Sequence, residues 1–209
     1  MPFPPELALA TKNPGKIREI LRICSDWPVK WHLARSLAHG EGVLVLWPEV
    51  EETGETYLDN ALLKARAVAQ ALPVLAVADD SGLEVDALGG APGPQSARFA
   101  GETATDQENL RLLIQRVRAV PERERTARYR CVAACAWPDG RTVWAEGTCE
   151  GGLIMEPRGT GGFGYDPIFV PEGDDRTMAE LSPEGKDAIS HRGKAFRALR
   201  ELLAASAPA

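Results

Sequence analysis

The chain of 209 residues is 44% hydrophobic and 26% charged, which is typical of a globular protein that buries a sizeable core. Its 24 basic and 30 acidic side chains give a net charge of −6, which argues against a general nucleic-acid binder. No stretch approaches the roughly 20 apolar residues that a membrane span needs, and the amino terminus does not resemble a signal peptide. We therefore expect a cytoplasmic protein that binds neither nucleic acid nor a membrane.

The four cysteines form no CxxC pair. This spacing favours buried free thiols in a reducing compartment over disulfides or a metal site. The positions concerned are Cys24, Cys131, Cys135 and Cys149.

The first segment predicts a strand, a polar loop and a helix. Glu6–Ala10 is a short apolar strand, and apolar residues recur at helical spacing from Ile17 onward. Asn13 followed by Pro14 is a typical helix start. Free backbone N–H groups and Lys16 in the first turn favour an anion such as phosphate. A plain connection between strand and helix explains the same residues, so both interpretations stay open.

A run of acids precedes the next predicted helix. Four glutamates lie between positions 49 and 55, and Thr56 with Asp59 resembles a capping box. These acids are either a solvated approach to the helix amino terminus, or one of them binds a metal. The predicted inward face of the helix consists of Leu58, Leu62, Ala65, Ala69 and Leu72.

The central segment places two acids at the end of an apolar run. Leu75–Ala78 leads into Asp79 and Asp80, and we expect Ser81-Gly82 to turn the chain sharply. Two carboxylates beside a buried strand are costly unless a counter-ion pairs with them, and a metal ion is the usual solution.

The next predicted elements are a helix and a hairpin. The helix spans Asp106–Val117, and the hairpin strands span Thr126–Trp137 and Arg141–Cys149 around Pro138-Asp139-Gly140. Because two such strands are antiparallel, we expect a mixed sheet.

The last third of the chain carries a glycine-rich loop and a basic pair. The loop, residues 159–167, combines four glycines with Phe163, Tyr165 and Asp166, so its backbone is able to approach a ligand closely. A strand follows at Ile168–Val170. His191 and Arg192 begin the closing helix, where cations oppose the helix dipole. That placement hints at a bound ligand, although a surface basic pair explains it as well.

Five segments in a fixed order resemble a known family. They are ATKNPGK, EETGETYLDNALLKA, ADDSGLEVDALGGAPG with SARFAG, GTGGFGYDPIF and AELSPEGKDAISHRGKA. The family is that of the non-canonical purine nucleoside triphosphate pyrophosphatases, which act on inosine and xanthosine triphosphates. The resemblance implies an α/β fold with two lobes and a long mixed central sheet flanked by helices. Residues 1–209 would form a single domain with its active site in the cleft between the lobes, usually in a homodimer.

The resemblance also implies the reaction and the site. A purine nucleoside triphosphate such as ITP, dITP or XTP would be hydrolysed with Mg²⁺ to the monophosphate and pyrophosphate. Glu51 and Asp80 would hold the metal, and Asp80 would also be the catalytic proton acceptor. Because one carboxylate is poorly suited to be both a tight metal ligand and a strong base, transfer of the proton work to Asp79 or Glu52 stays open as an alternative. Substrate contacts would come from Thr11, Lys12, Asn13, Pro14, Gly15, Lys16, Ser81, Phe163, Gly164, Tyr165, Asp166, Lys186, His191 and Arg192.

Base selectivity would follow from hydrogen-bond donors. Inosine and xanthosine carry a carbonyl at C6, where adenosine carries an amine, so donors such as His191 and Arg192 would reward the carbonyl.

Two departures and two alternatives accompany this interpretation. Lys12 stands where many members have glycine, and residues 36–47 are longer and more apolar than the family pattern. A Maf-like enzyme that cleaves pyrimidine or modified nucleotides would use similar machinery. A nucleotide-binding module without hydrolysis is the other alternative.

Overall fold

The computed structural model describes residues 3–34, 43–45 and 48–206. The predicted long apolar segment therefore lies outside the described residues, except for the strand at Val43–Val45. Within the described part of the chain, no helix is long and apolar enough to cross a membrane.

The described part of the chain contains seven strands and five α-helices. The strands are β1 (Glu6–Leu9), β2 (Lys30–Ala34), β3 (Val43–Val45), β4 (Leu75–Val85), β5 (Thr126–Ala136), β6 (Thr142–Leu153) and β7 (Phe169–Pro171). The α-helices are α1 (Pro14–Ile23), α2 (Tyr57–Ala71), α3 (Asp106–Val117), α4 (Pro183–Ile189) and α5 (His191–Ala205). Short 3₁₀ turns include Asp86–Leu88, Gly93–Arg98 and Asp166–Ile168.

The described strands form one mixed sheet in the order β3-β2-β1-β4-β5-β6-β7. Strand β1 is parallel to both β2 and β4, and β2 is parallel to β3. Strands β6 and β7 are antiparallel. The predicted α/β class and mixed central sheet are therefore confirmed.

The chain divides into two compact units. The first comprises Met1–Asp80, Cys131–Gly147 and Arg192–Ala209, and the second comprises Ser81–Arg130 and Thr148–His191. Strands β4, β5 and β6 each contribute residues to both units.

In the first unit, successive residues along a strand point to opposite faces of the sheet, and different helices pack on the two faces. One face of the sheet carries larger side chains, and α1 and α5 pack on it. This cluster includes Leu7, Leu9, Val77, Cys131, Ile17, Ile20, Phe196 and Leu199. The opposite face is mostly alanine and packs against α2 through Ala65, Val68 and Ala69. Small side chains on both surfaces allow this helix to approach the sheet closely.

In the second unit, the sheet is apolar on one side and charged on the other. Leu83 and Val85 of β4 are buried in one cluster with Leu113 and Val117 of α3. The charged side carries ion pairs: Arg128 lies 2.9 Å from both Asp86 and Glu150, and Arg130 lies 3.6 Å from Glu84.

The predicted sharp turn at Ser81-Gly82 is wrong, because β4 runs without interruption from Leu75 to Val85. Residues after Gly82 keep the period-two alternation of a strand, with Leu83 and Val85 buried. The chain turns only at Asp86–Leu88, which ends at Gly89 with φ of +64°.

The inward face of α2 is also shifted from the prediction. Its buried residues include Tyr57, Asn60 and Ala61, whereas Leu58 and Leu62 are only partly buried. The sheet opposite is lined with alanine, so the helix turns its smaller side chains toward it.

Candidate active site

The loop before α1 is organised by Asn13. Its side-chain oxygen accepts hydrogen bonds from the backbone N–H groups of Gly15 and Lys16, at 2.8 and 3.1 Å. Pro14 occupies the first turn, so the predicted cap is confirmed. Thr11 is buried and accepts from the N–H of Asn13 at 3.2 Å. Lys12 is exposed, and its ammonium lies 3.5 Å from Glu49.

Asp79 is fully buried among cations. Its Oδ2 lies 3.1 Å from the Lys16 ammonium and accepts from Nη2 and Nε of Arg192, at 3.1 and 3.2 Å. Arg192 also donates to Glu19 Oε2 at 2.5 Å. A cation in the first turn of a helix opposes the helix dipole. The carboxylates of Asp79 and Glu19, both within the first unit, offset this unfavourable position of Arg192 in α5.

Asp80 has different partners. Its Oδ1 lies 3.0 Å from the ammonium of Lys64, and its Oδ2 accepts from the side chain of Asn60 at 3.4 Å. The same ammonium lies 3.4 Å from Glu52. Burial lowers the pKa of Lys64, but Asp80 and Glu52 outweigh this effect and raise it, so the lysine stays charged.

Strand alternation explains why the two acids differ. Successive side chains of a strand point to opposite faces, so Asp79 faces α1 and α5 whereas Asp80 faces α2. Burial raises the pKa of Asp79, but Lys16 and Arg192 more than reverse this and leave it well below its usual value. Burial raises the pKa of Asp80, and Lys64 offsets only part of the rise. Neighbouring carboxyls with diverging pKa values are the pattern of paired acid–base roles.

The predicted metal ligand Glu51 is exposed. Among the described residues, no group of three or more His, Cys, Asp or Glu side chains is arranged to hold a metal ion. The next residue, Glu52, pairs with the ammonium of Lys64, and Asp80 pairs with the same ammonium. Carboxylate oxygens such as these are the ligands that Mg²⁺ prefers.

The second unit brings two predicted site residues, Phe163 and Lys186, together around a third, Asp166. The Asp166 carboxylate is buried and accepts from Lys186 at 2.5 Å and from the N–H of Phe163 at 2.8 Å. The Lys186 ammonium also lies 5.1 Å from the centre of the Phe163 ring. At Gly162, φ is +68° and a Cβ atom would lie 2.0 Å from Asp166 Oδ2, so only glycine fits there.

Two further contacts fix the glycine-rich loop. The N–H of Gly164 donates to Asp106 at 3.0 Å, and the hydroxyl of Tyr165 donates to the carbonyl of Ser96 at 2.8 Å. Burial, followed by the charge of Asp106, raises the pKa of Tyr165. Its hydroxyl therefore serves as a fixed donor to the loop rather than as a titrating group.

His191 is buried against Tyr129. The two rings are stacked, with centroids 4.6 Å apart and planes 9° apart. Ser81, the remaining predicted contact, is half-buried in β4 directly after Asp80.

Sequence reasoning missed four residues of these clusters. Asn60 and Lys64 lie one turn apart on α2, and this i, i+4 spacing of polar residues beside a buried face was the available signal. Glu19 lies one turn after Lys16 on α1. Tyr129 carries no local signal, because it occupies an ordinary inward position of β5.

An α/β sheet that carries a buried pair of acids, with lysines and a glycine-rich aromatic loop, is the architecture of a nucleotide-processing protein. The profile of the Ham1 family matches residues 7–202. A Streptomyces coelicolor protein named dITP/XTP pyrophosphatase is 52% identical, covering 94% of this chain and 98% of its own. A Bacillus subtilis protein of the same name is 44% identical, covering 96% and 98%. The chain belongs to the Ham1 family, which confirms the resemblance seen in the sequence.

Solved structures agree with this assignment. A HAM1 protein from Coxiella burnetii superimposes with a TM-score of 0.82 at 38% identity, covering 97% of this chain and 100% of its own.

Proposed function

We propose that the protein hydrolyses purine nucleoside triphosphates whose base carries a C6 carbonyl in place of an amine, namely ITP, dITP and XTP, to the monophosphate and pyrophosphate. The names of its relatives support the substrate class. The observation that carries the chemistry is the pair of buried acids in β4, in which Asp79 Oδ2 is held by Lys16 and Arg192 whereas Asp80 contacts Lys64 and Asn60.

The reaction begins with a water molecule that attacks the α-phosphorus. Asp80 accepts its proton, as the family resemblance implies, because Oδ2 of the neighbouring Asp79 is engaged by Lys16 and by two N–H groups of Arg192. The bond from the α-phosphorus to the bridging oxygen breaks, and pyrophosphate leaves. Lys16, in the first turn of α1, would offset negative charge on phosphate oxygens.

We assign Mg²⁺ as the cofactor, with Asp80 and Glu51 as its predicted ligands and Glu52 as a neighbouring oxygen donor. When bound, the ion offsets the charge that develops on the leaving pyrophosphate. Lys64 occupies this region in the structure and holds the carboxylates of Asp80 and Glu52 toward one point.

Recognition of the base is assigned to the second unit. Lys186 and His191 supply donors, and Phe163 supplies a flat ring. Arg192 was also predicted to contact the base. In the structure it pairs with Asp79 and Glu19, and its contact with the base stays a prediction.

We also propose a single functional domain spanning residues 1–209, a cytoplasmic location and a homodimer. Four buried free cysteines suit a reducing compartment. A homodimer has twice the 22.6 kDa mass of one chain, which light scattering after size-exclusion chromatography measures directly.

A substrate panel tests the proposed function. Release of pyrophosphate is measured for ITP, dITP, XTP, ATP, GTP and dTTP, each with Mg²⁺ and with EDTA. We expect Mg²⁺-dependent turnover of the first three to exceed that of ATP and dTTP. Preferred cleavage of dTTP would indicate the Maf-like alternative, and absence of turnover on every triphosphate would indicate a binding module. Release of inorganic phosphate in place of pyrophosphate would contradict attack at the α-phosphorus.

A further inference from the structure

Tyr129 links two predicted substrate-binding residues of the second unit. Its ring stacks on the imidazole of His191, with 4.6 Å between centroids and 9° between planes. Its hydroxyl lies 3.2 Å from Oδ1 of Asp166 in a buried hydrogen bond. Tyr129 itself is 7% exposed, and His191 and Asp166 are 4% and 2% exposed.

Each end of Tyr129 contacts a side chain whose terminal torsion has only a broad intrinsic preference. The planes of the imidazole ring and of the carboxyl group are therefore set by their contacts, and Tyr129 supplies one contact to each. A stacked ring restricts the imidazole to one plane. A hydrogen bond to Oδ1 leaves Oδ2 of Asp166 to accept from Lys186 and from the N–H of Phe163.

We propose that Tyr129 is a positioning residue for base recognition. Its ring sets the plane of the His191 imidazole, and its hydroxyl sets the rotation of the Asp166 carboxylate that holds Lys186. This inference rests on the proposed function, because it concerns how the same site distinguishes a C6 carbonyl from an amine. Discrimination of this kind depends on donors fixed to within a fraction of an ångström.

Tyr129 also packs in the core, which the test must separate from positioning. Its ring lies 4.8 Å from that of Phe169, within the cluster that contains Leu113. Tyr129→Phe keeps the ring and removes only the hydroxyl, whereas Tyr129→Leu removes the stack. Leu113→Ala is the matched control, because it removes fully buried volume from the same cluster on α3.

The experiment measures kcat and KM for ITP and ATP in the wild-type protein and these three variants. We expect Tyr129→Leu to lower kcat/KM for ITP by roughly 10- to 100-fold and to reduce the preference for ITP over ATP. Tyr129→Phe should lose less, because the stack remains. Leu113→Ala should lower thermal stability while keeping the wild-type preference.

Proton NMR of the His191 ring gives a second readout. A stacked phenol ring shifts the imidazole protons upfield, and a His191→Gln spectrum identifies them among the three histidines. The shift should persist in Tyr129→Phe and vanish in Tyr129→Leu.

Two results would overturn the proposal. One is a wild-type ITP preference in Tyr129→Leu; the other is an equal loss of preference in Leu113→Ala. If the wild-type protein fails to cleave ITP at all, the proposed function fails instead. The NMR comparison then still decides whether Tyr129 stacks on His191 in solution.

Discussion

At the scale of single residues, the main feature is that neighbouring acids have unlike surroundings. Asp79 and Asp80 are consecutive in β4, so their side chains point to opposite faces and meet different helices. The sequence alone identified both acids as costly to bury. It did not identify their partners, because Arg192 is 113 positions away from Asp79 and no local pattern links them.

Matched variants of Glu51 and Glu52 test which of these two glutamates binds the metal. We expect Glu51→Gln to weaken the apparent Mg²⁺ affinity by about 10-fold or more, since a carboxylate ligand becomes neutral. Glu52→Gln should have a smaller effect, because Glu52 pairs with Lys64. The measurement is initial rate against Mg²⁺ concentration at saturating ITP. A larger effect for Glu52→Gln would transfer the ligand role to Glu52.

The buried ion pairs of Arg192 give a prediction for stability. Arg192→Ala leaves the buried carboxylates of Asp79 and Glu19 without this partner, which costs about 3–5 kcal/mol. Arg200→Ala removes an ion pair with Asp26 at an exposed position, which costs about 1 kcal/mol or less. Urea unfolding of both variants measures the difference. Equal losses would show that Arg192 does not stabilise the first unit as its burial implies.

At the scale of elements, the local signals predicted the structure well. The cap at Asn13, the capping box of Thr56 and Asp59, and the helix Asp106–Val117 all depend on residues within one turn, and all are confirmed. The predicted inward face of α2 was right at Ala65 and Ala69, but Leu58 and Leu62 are only partly buried, because this face depends on the alanine-lined sheet opposite. The turn at Ser81-Gly82 was wrong because pairing in the sheet overrides the local turn preference of this dipeptide.

The glycine-rich loop is held by Asp106 at the start of α3. Asp106→Ala removes the acceptor for the N–H of Gly164, so we expect KM for ITP to rise several-fold while kcat changes little. Asp106→Asn keeps an acceptor oxygen and should restore most of the affinity. Gln107→Ala, at the exposed neighbouring position, is the control for the helix terminus. A similar KM in Asp106→Ala and the wild-type protein would contradict this role for the aspartate.

At the scale of the whole molecule, both units bury their cysteines. Burial raises the pKa of Cys24 and Cys131, and it raises that of Cys135 to about 12. Because the thiolate is the reactive form, its fraction at pH 8 is very small in the folded protein. We expect a disulfide reagent to modify four thiols rapidly in denaturant and far more slowly in the native protein. Rapid modification of the native protein would contradict the burial of these side chains.

The central claim is that Asp80 is the base that accepts the proton of the attacking water during hydrolysis of the nucleoside triphosphate. Its most direct test is single-turnover hydrolysis of dITP with saturating Mg²⁺, comparing Asp80→Asn with the wild-type protein. Asparagine keeps the shape but accepts no proton at neutral pH, and its NH₂ group replaces the acceptor oxygen that faces either Asn60 or Lys64. We predict a loss of at least about 100-fold in rate, with an unchanged circular dichroism spectrum. A folded Asp80→Asn protein that keeps a rate close to that of the wild type would contradict the account.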